Sequence, residues 1–371
     1  MLAGESRASS AFSASEQGRA VYPRLALALI GPGRVGQALL RRLKRQAPAD
    51  WALEVLVNSR ETRSAPVDRR SGGMDAGSLE RAGDRELDDL PALLSRRPAA
   101  AYAIVDATAS EAVARCHADW LAQGIHVVTA NKLALAAGCA SWSRLEGGKG
   151  HAHYGASATV GAGLPVLAAL DRLRRAKESV ISIRAVLSGS LSFMCSQLDA
   201  GRSASNSVMA AHELGLSEPD PRVDLSGLDV ARKLVILARC AGQALSIEDI
   251  AIHGLVPDAL VSGSVDAFFE RIADLDAPIR RRVDAAPGRG DRVAYLAELD
   301  QRGRASVGLQ RVASEDPMSR CSAIDNRIEI VTETYRDSPL VIAGPGAGVE
   351  VTALALWSDL LRVSESGRPD R

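Results

Sequence analysis

From Arg24 the chain opens with LALALI, a continuous apolar run of the kind that a strand buried on both faces requires. It leads through Gly31-Pro32-Gly33-Arg34-Val35-Gly36 into QALLRRLKRQ, where apolar residues recur at helical spacing. A second strand, LEVLVN, ends at Asn58. Residues 64–86, with Gly72-Gly73, are polar and read as a surface connection to the helix LDDLPALLSRR. The strand AIVDATAS, a helix through Glu111 to Gln123 and the strand IHVVTANK complete an alternation of strand and helix. That repeat predicts an α/β fold, a Rossmann-type doubly wound parallel sheet with ligands at the carboxyl ends of its strands. His151 and His153 alternate on an expected strand, HAHYGAS. The glycine turn Thr159 to Pro165 then enters the helix VLAALDRLRRA and marks a domain boundary. The strand SVISIRAVLS and the helices SLSFMCSQLDAG and SNSVMAAHELG follow. Beyond residue 262 a charged helical region gives way to RVAYLAEL, ASVGLQRV and RIEIVTETY, so the second domain is expected to be α+β, a mixed sheet backed by helices. The chain closes with the strand PLVIAG, the turn Gly344-Pro345-Gly346-Ala347-Gly348 and a helix through Leu361. The expected organisation is a disordered tail over 1–20, a dinucleotide-binding domain over 21–158 completed by 340–371, and a substrate and dimerisation domain over 159–339.

One stretch departs from simple amphipathic patterning. EPDPRVDLSGLDVARK, Glu218 to Lys233, runs into the apolar LVILARCAG. Pro219 and Pro221 rule out helix at its start, and Asp224, Ser226 and Gly227 supply turn chemistry, so a helix is expected from near Leu228. On its wheel Val230, Ala231, Leu234, Val235, Leu237 and Ala238 form an apolar arc, with Arg232 and Arg239 opposite. Asp229 and Lys233, at i and i+4, project from the border of that arc. An ordinary helix ion pair, with Asp229 closing a Ser226-x-x-Asp229 cap, is the bland reading. Charges at the edge of a buried surface also need a partner or a substrate, and a partly desolvated Lys is a candidate proton carrier. Four carboxylates, Glu218, Asp220, Asp224 and Asp229, crowd this stretch and require a cation among them: Arg222, Lys233 or a substrate amine.

The turn after the first strand has chemistry of its own. Gly31, Gly33 and Gly36 occupy the three positions at which a pyrophosphate is admitted to the backbone of a helix N-terminus. The second strand ends without the Asp or Glu that holds a ribose 2′-hydroxyl, and Arg60 stands close by, which favours NADP over NAD. A solvated loop Arg is the alternative. Thr108, Asn131 and Lys132 fall at strand ends, where a turn or cap role competes with contact to a nicotinamide or substrate. The His-x-His pair lacks a matching third ligand and reads as ordinary strand histidines.

Composition removes other classes. Lys plus Arg and Asp plus Glu are both 45, so no net charge draws the chain to nucleic acid. No apolar run approaches the roughly 18 residues of a membrane span. Five scattered cysteines in mostly apolar contexts suit thiols in a reducing compartment, and the expectation is a cytoplasmic protein without disulfide or zinc. Residues 1–20 lack the apolar core of a secretory signal.

Together IGPGRVG, VDATAS, VVTANK, TVGAGLPV, LSGSLSF, EPDPRVDLSGLDVARK and GPGAGVEVTALALWSDLLR resemble homoserine dehydrogenase, above all the dehydrogenase half of the bifunctional aspartokinase-homoserine dehydrogenases, over about residues 24–365. The resemblance implies NAD(P)-linked interconversion of L-homoserine and L-aspartate 4-semialdehyde on the route to threonine and methionine. It implies that Lys233 gives and takes the proton at the substrate oxygen, that Asp229 and Glu218 bind homoserine, and that Lys132 lies between cofactor and substrate. Gly31, Gly33, Arg34, Val35, Gly36, Arg60, Thr108, Gly215 and Gly348 would hold the cofactor, and a homodimer is expected. It further implies a sodium or potassium site on the backbone carbonyls of Val160, Ala162 and Leu164. There the chain departs from the family pattern, because Ser157 replaces the usual acid and Ala156 the preceding aromatic, so weak cation binding is expected. Val223, Phe193 and Pro345 are further departures that remove no proposed catalytic group. No kinase region precedes these motifs and no regulatory region follows them, so a monofunctional enzyme is expected. A dehydrogenase of another small amino-acid-like substrate, or a non-catalytic dinucleotide sensor, is the competing reading; the charged centre Lys132, Asp229 and Lys233 speaks against the sensor.

Overall fold

The computed structural model describes residues 22–66, 73–150, 152–284, 291–320 and 325–366; the tail over 1–20, Gly72, His151 and Cys321 lie outside the described residues. The first sheet contains β1 (Leu25–Ile30), β2 (Trp51–Val57), β3 (Glu61–Ser64), β4 (Glu80–Asp84), β5 (Ala101–Asp106), β6 (His126–Thr129) and β7 (Tyr154–Gly155), in the order β4-β3-β2-β1-β5-β6-β7. β1 pairs in parallel with β2 and β5, and β6 with β5 and β7. Every residue of LALALI is buried because both faces are covered. Leu25, Leu27 and Leu29 face a core made with Leu39, Leu43, Leu356 and Leu360, while Ala26, Ala28 and Ile30 face the other core. The polar stretch expected to be a surface connection instead holds β4, which pairs antiparallel with β3 and extends the sheet. β4 is largely exposed at the sheet edge, so it carries no hydrophobic signature.

The second sheet contains β8 (Val180–Val186), β9 (Ile250–Ile252), β10 (Arg292–Leu299), β11 (Ala305–Val312), β12 (Asp325–Thr332) and β13 (Leu340–Pro345), in the order β13-β12-β8-β10-β11-β9. β8 runs antiparallel to both β10 and β12, and β9 adds a parallel edge to β11. β13 corrects one expected boundary: the strand at 340–345 pairs antiparallel with β12 and belongs to the second sheet. Only the helix Val349–Ser366 returns to the first sheet, where Trp357 meets Trp51 with ring centroids 5.5 Å apart.

The helix expected from near Leu228 spans Leu228–Cys240, and its residues Val230, Ala231, Leu234 and Val235 lie in the core that also takes Ile30 and Ile104 from the first sheet and Ile183 and Ala185 from the second. Gly227 enters it at φ +74°, with no room for a side chain, since a Cβ there would lie 2.0 Å from the Tyr295 hydroxyl. The local reading needs two corrections. Pro221 does not exclude helix: it starts a short one, Pro221–Leu225, in whose first turn its missing N–H costs nothing, with Asp220 accepting from the Arg222 N–H. Asp229 does not close a cap with Ser226, whose hydroxyl accepts from the Leu228 N–H alone. Arg239, opposite the apolar arc, is itself buried. The strand expected over HAHYGAS is reduced to Tyr154–Gly155.

Candidate active site

The Gly31 turn, the loop after β5 and two lysines from different parts of the chain are joined by a series of contacts. β1 and β5 are neighbours, but the helices that follow them pack into different cores, Leu39 and Leu43 in one and Val113 and Leu121 in the other, so the loops after Ile30 and Asp106 part at the place where such a sheet takes its ligands. Gly31, at φ +86°, packs so closely on the second loop that a Cβ would lie 2.6 Å from Thr108 Cγ2. Gly36 is pressed on the Gly31 carbonyl, its virtual Cβ 2.2 Å away, whereas a Cβ on Gly33 would meet nothing within 4 Å. Gly33 also stands at the N-cap of the helix Arg34–Gln46 without any side-chain cap, leaving that end's N–H groups for an anion. Arg34 is exposed beside it, and Val35 packs half-buried against the core. The residues therefore fit a dinucleotide pyrophosphate. Arg60 is exposed just beyond β2, on a turn held by Asn58 Oδ1, which accepts from the Arg60 and Glu61 N–H groups at 2.7 and 2.9 Å. Among the described residues Arg60 has no ion-pair partner.

Asp106, not foreseen as important, ties this end together. Its buried carboxylate accepts from the Thr108 N–H and hydroxyl at 2.9 and 2.7 Å and from Asn131 Nδ2 at 2.9 Å, and it lies 3.1 Å from His117 Nε2. The other nitrogen of His117 is 3.0 Å from the Tyr154 hydroxyl. Asn131 also bonds the Ser110 carbonyl and the Leu133 N–H, which fixes the loop presenting Lys132. The sequence singles out Thr108 and Asn131 at strand ends but not the Asp106 carboxylate that joins them.

Lys132 and the helix Leu228–Cys240 meet at Asp229. The Lys233 ammonium lies 2.8 Å from Asp229 and donates to the Leu187 carbonyl, just past β8, at 2.7 Å; Lys132 approaches the other carboxylate oxygen at 3.5 Å. The side chains of Lys132, Asp229 and Lys233 are 31%, 43% and 12% exposed, so Lys233 is the sheltered member. Burial alone would raise the Asp229 carboxyl, but Lys233 and then Lys132 outweigh it and hold it down at about 2. The other crowded carboxylates are held in different ways. Asp220 pairs with Arg222 at 2.8 Å. Asp224 accepts from the Ser190 hydroxyl at 2.7 Å and from the Glu218 N–H at 2.8 Å, and burial pushes its carboxyl up. Glu218 is exposed on this loop, and Gly215, exposed and at φ +66°, precedes it. Gly348, at φ +136°, starts the closing helix, which lies along the helix of the first glycine turn with Arg41 and Glu350 paired at 3.0 Å.

The turn at 160–165 packs against the closing helix. Gly161 and Ala162 both have positive φ, and Gly163 packs on Val351 of the closing helix. The Leu164 carbonyl already accepts from the Val166 N–H at 2.8 Å. Ser157 donates its N–H and hydroxyl to the buried Asp359 at 2.8 and 2.7 Å, a partner from far along the chain that the sequence did not suggest. Among the described residues no group of three or more His, Cys, Asp or Glu side chains could hold a metal ion. The donor set fits an alkali cation poorly, having one carbonyl engaged and its nearest sequence-local side chain neutral.

Comparison with known proteins adds family information to this geometry. Residues 31–151 match the family model described as the homoserine dehydrogenase NAD-binding domain, and residues 165–361 match the model described as homoserine dehydrogenase. The homoserine dehydrogenase of Emericella nidulans is 34% identical over 362 residues, covering 91% of this chain and 98% of that protein. The chloroplastic bifunctional aspartokinase/homoserine dehydrogenase 2 of Zea mays is 35% identical over 363 residues; 92% of this chain matches, and the match spans 38% of that protein's length. Among solved structures, a Candida auris protein described as of unknown function is 31% identical, with a TM-score of 0.84 over 91% of this chain and 98% of that one. A hyperthermophilic archaeal homoserine dehydrogenase in complex with NADPH, 20% identical, shares the fold with a TM-score of 0.69 over 93% and 98% of the two chains.

Proposed function

The chain belongs to the homoserine dehydrogenase family, and from that premise we propose that it interconverts L-homoserine and L-aspartate 4-semialdehyde with NADP as the favoured dinucleotide. The observation that carries the proposal is the Lys132–Asp229–Lys233 cluster, whose Lys132 follows Asn131, tied through Asp106 to the Thr108 loop that packs on Gly31. A bound nicotinamide supplies or takes the hydride at the substrate carbon. Lys233 donates the proton to the carbonyl oxygen as the aldehyde is reduced and accepts it back from the alcohol in reverse; its ammonium also stabilises the negative charge developing on that oxygen. Asp229 keeps Lys233 oriented and, with Glu218, offers carboxylates to the substrate ammonium. Lys132 stands between dinucleotide and substrate, where it assists the charge on the reacting oxygen. Thr108, Gly215 and Gly348 line the dinucleotide path with the Gly31 turn. A homodimer through the second sheet and a cytoplasmic location accompany this reading.

The purified protein, given L-homoserine and NADP, should form NADPH and an aldehyde identifiable by NMR as aspartate 4-semialdehyde. Absence of both with a protein that binds NADPH would overturn the assignment. For the dinucleotide, Arg60→Ala should weaken NADP binding roughly tenfold or more, the scale of a lost charge-assisted bond, while NAD binding hardly changes. Equal changes for the two would remove Arg60 from 2′-phosphate recognition. At the 160–165 turn, Ser157 provides no charge and its hydroxyl is turned to Asp359, so replacing alkali-metal salts by a bulky organic cation at matched ionic strength should leave the rate within about twofold. A collapse restored specifically by sodium or potassium would show that the Val160, Ala162 and Leu164 carbonyls suffice.

A further inference from the structure

The helix carrying Asp229 and Lys233 holds a third cationic group at its other end. Arg239 is only 6% exposed, and among the described residues it has no carboxylate partner within ion-pair distance. Its Nη1 donates to the Leu135 and Ala137 carbonyls, both at 2.7 Å, and its Nε to the Leu245 carbonyl at 2.9 Å; the Trp142 ring lies 5.0 Å from the guanidinium. Leu135 and Ala137 sit at the end of the short helix Leu133–Ala136, whose N-cap is Lys132. The carbonyls at such an end lack partners within their own helix, and Arg239 supplies them. A buried charge is costly unless its hydrogen bonds are met, and here two of the three acceptors belong to the segment that presents Lys132.

The two elements are therefore joined at two points. One is the Lys132–Asp229 pair, 3.5 Å apart and partly exposed, a kind of contact too weak to set geometry alone. The other is the buried Arg239 clamp, six residues or about 9 Å along the helix from Lys233. We propose that Arg239 is a positioning residue that fixes Lys132 against the Asp229–Lys233 pair by clamping the Leu133–Ala137 segment to the catalytic helix. The proposal rests on the functional reading above. Lysine cannot replace the guanidinium, because one ammonium lacks the planar fork that reaches three carbonyls while facing an indole.

The test compares Arg239→Lys with the wild-type full chain by backbone hydrogen exchange, NADPH titration and homoserine oxidation. Exchange should rise over 133–138 and stay unchanged over 111–122. The NADPH Kd should hold within about twofold, while kcat falls about tenfold or more, the scale of a slightly misplaced reacting group. In Arg239→Ala, millimolar guanidinium should restore part of kcat where sodium at equal ionic strength does not. Unchanged exchange over 133–138 with wild-type kcat overturns the proposal, as does a loss of kcat matched by weaker NADPH binding and faster exchange throughout. If Arg239→Lys does not fold, Trp142→Leu, which leaves all three acceptors in place, should show the same pattern at smaller amplitude; no change in exchange or kcat there overturns the clamp. A wild-type protein inactive on homoserine would defeat the functional reading instead, and exchange over 133–138 would still decide whether Arg239 holds that segment.

Discussion

Lys233→Ala is expected to fold, to bind NADPH as tightly as the wild type, and to turn over more slowly by roughly 10² or more, the usual worth of a general acid–base group. The structure gives three reasons. Lys233 is the most sheltered cation of the cluster, its ammonium is aimed by the Leu187 carbonyl at 2.7 Å and Asp229 at 2.8 Å, and no other ammonium occupies its position. Lys132, 3.5 Å from Asp229, comes from the opposite wall and cannot take over both contacts. Its loss also removes the larger of the two charges that hold Asp229 down at about 2, so the Asp229 carboxyl should titrate at higher pH in the variant. Steady-state kinetics beside a fluorescence titration of NADPH separate the two effects. Near-normal turnover in the folded variant would remove Lys233 from the mechanism.

The glycine turn should fail in two distinguishable ways. A methyl at Gly36 would fall 2.2 Å from the Gly31 carbonyl, so Gly36→Ala must shift the turn itself and should lower Tm along with dinucleotide affinity. At Gly33 a Cβ meets no protein atom within 4 Å, so Gly33→Ala should keep the wild-type Tm. Its methyl nevertheless projects into the space the pyrophosphate needs, and NADPH affinity should fall about tenfold or more, at least 1.4 kcal/mol. Wild-type NADPH binding by Gly33→Ala would show that the ligand does not approach the backbone there.

Much of this was legible in the chain because burial on both faces leaves continuous apolar runs and because an anion-binding turn demands glycines. LALALI and GPGRVG are of this kind, and the helix from Leu228 shows through its apolar arc. Local patterning was silent where tertiary context decides. β4 is polar because it lies exposed at an edge, and β13 could have joined either sheet until its antiparallel register with β12 was seen. The Asp229–Lys233 pair was visible through its i, i+4 spacing. The approach of Lys132 to Asp229 was not readable from spacing, and neither were the Asp106 network, the Ser157–Asp359 bonds nor the Arg239 clamp, since each joins residues distant in the chain. A helical wheel placed Arg239 opposite the apolar arc correctly, but could not show that the first domain covers that side.

Oxidation of NADPH by the purified protein, with L-aspartate 4-semialdehyde set against a panel of other small aldehydes, tests the central claim most directly. The account predicts rapid turnover with the semialdehyde, L-homoserine as its product, and far lower kcat/KM for aldehydes lacking the α-ammonium that Asp229 and Glu218 would bind. Equal or greater kcat/KM for an aldehyde without that ammonium, or no oxidation with any member of the panel, would contradict it.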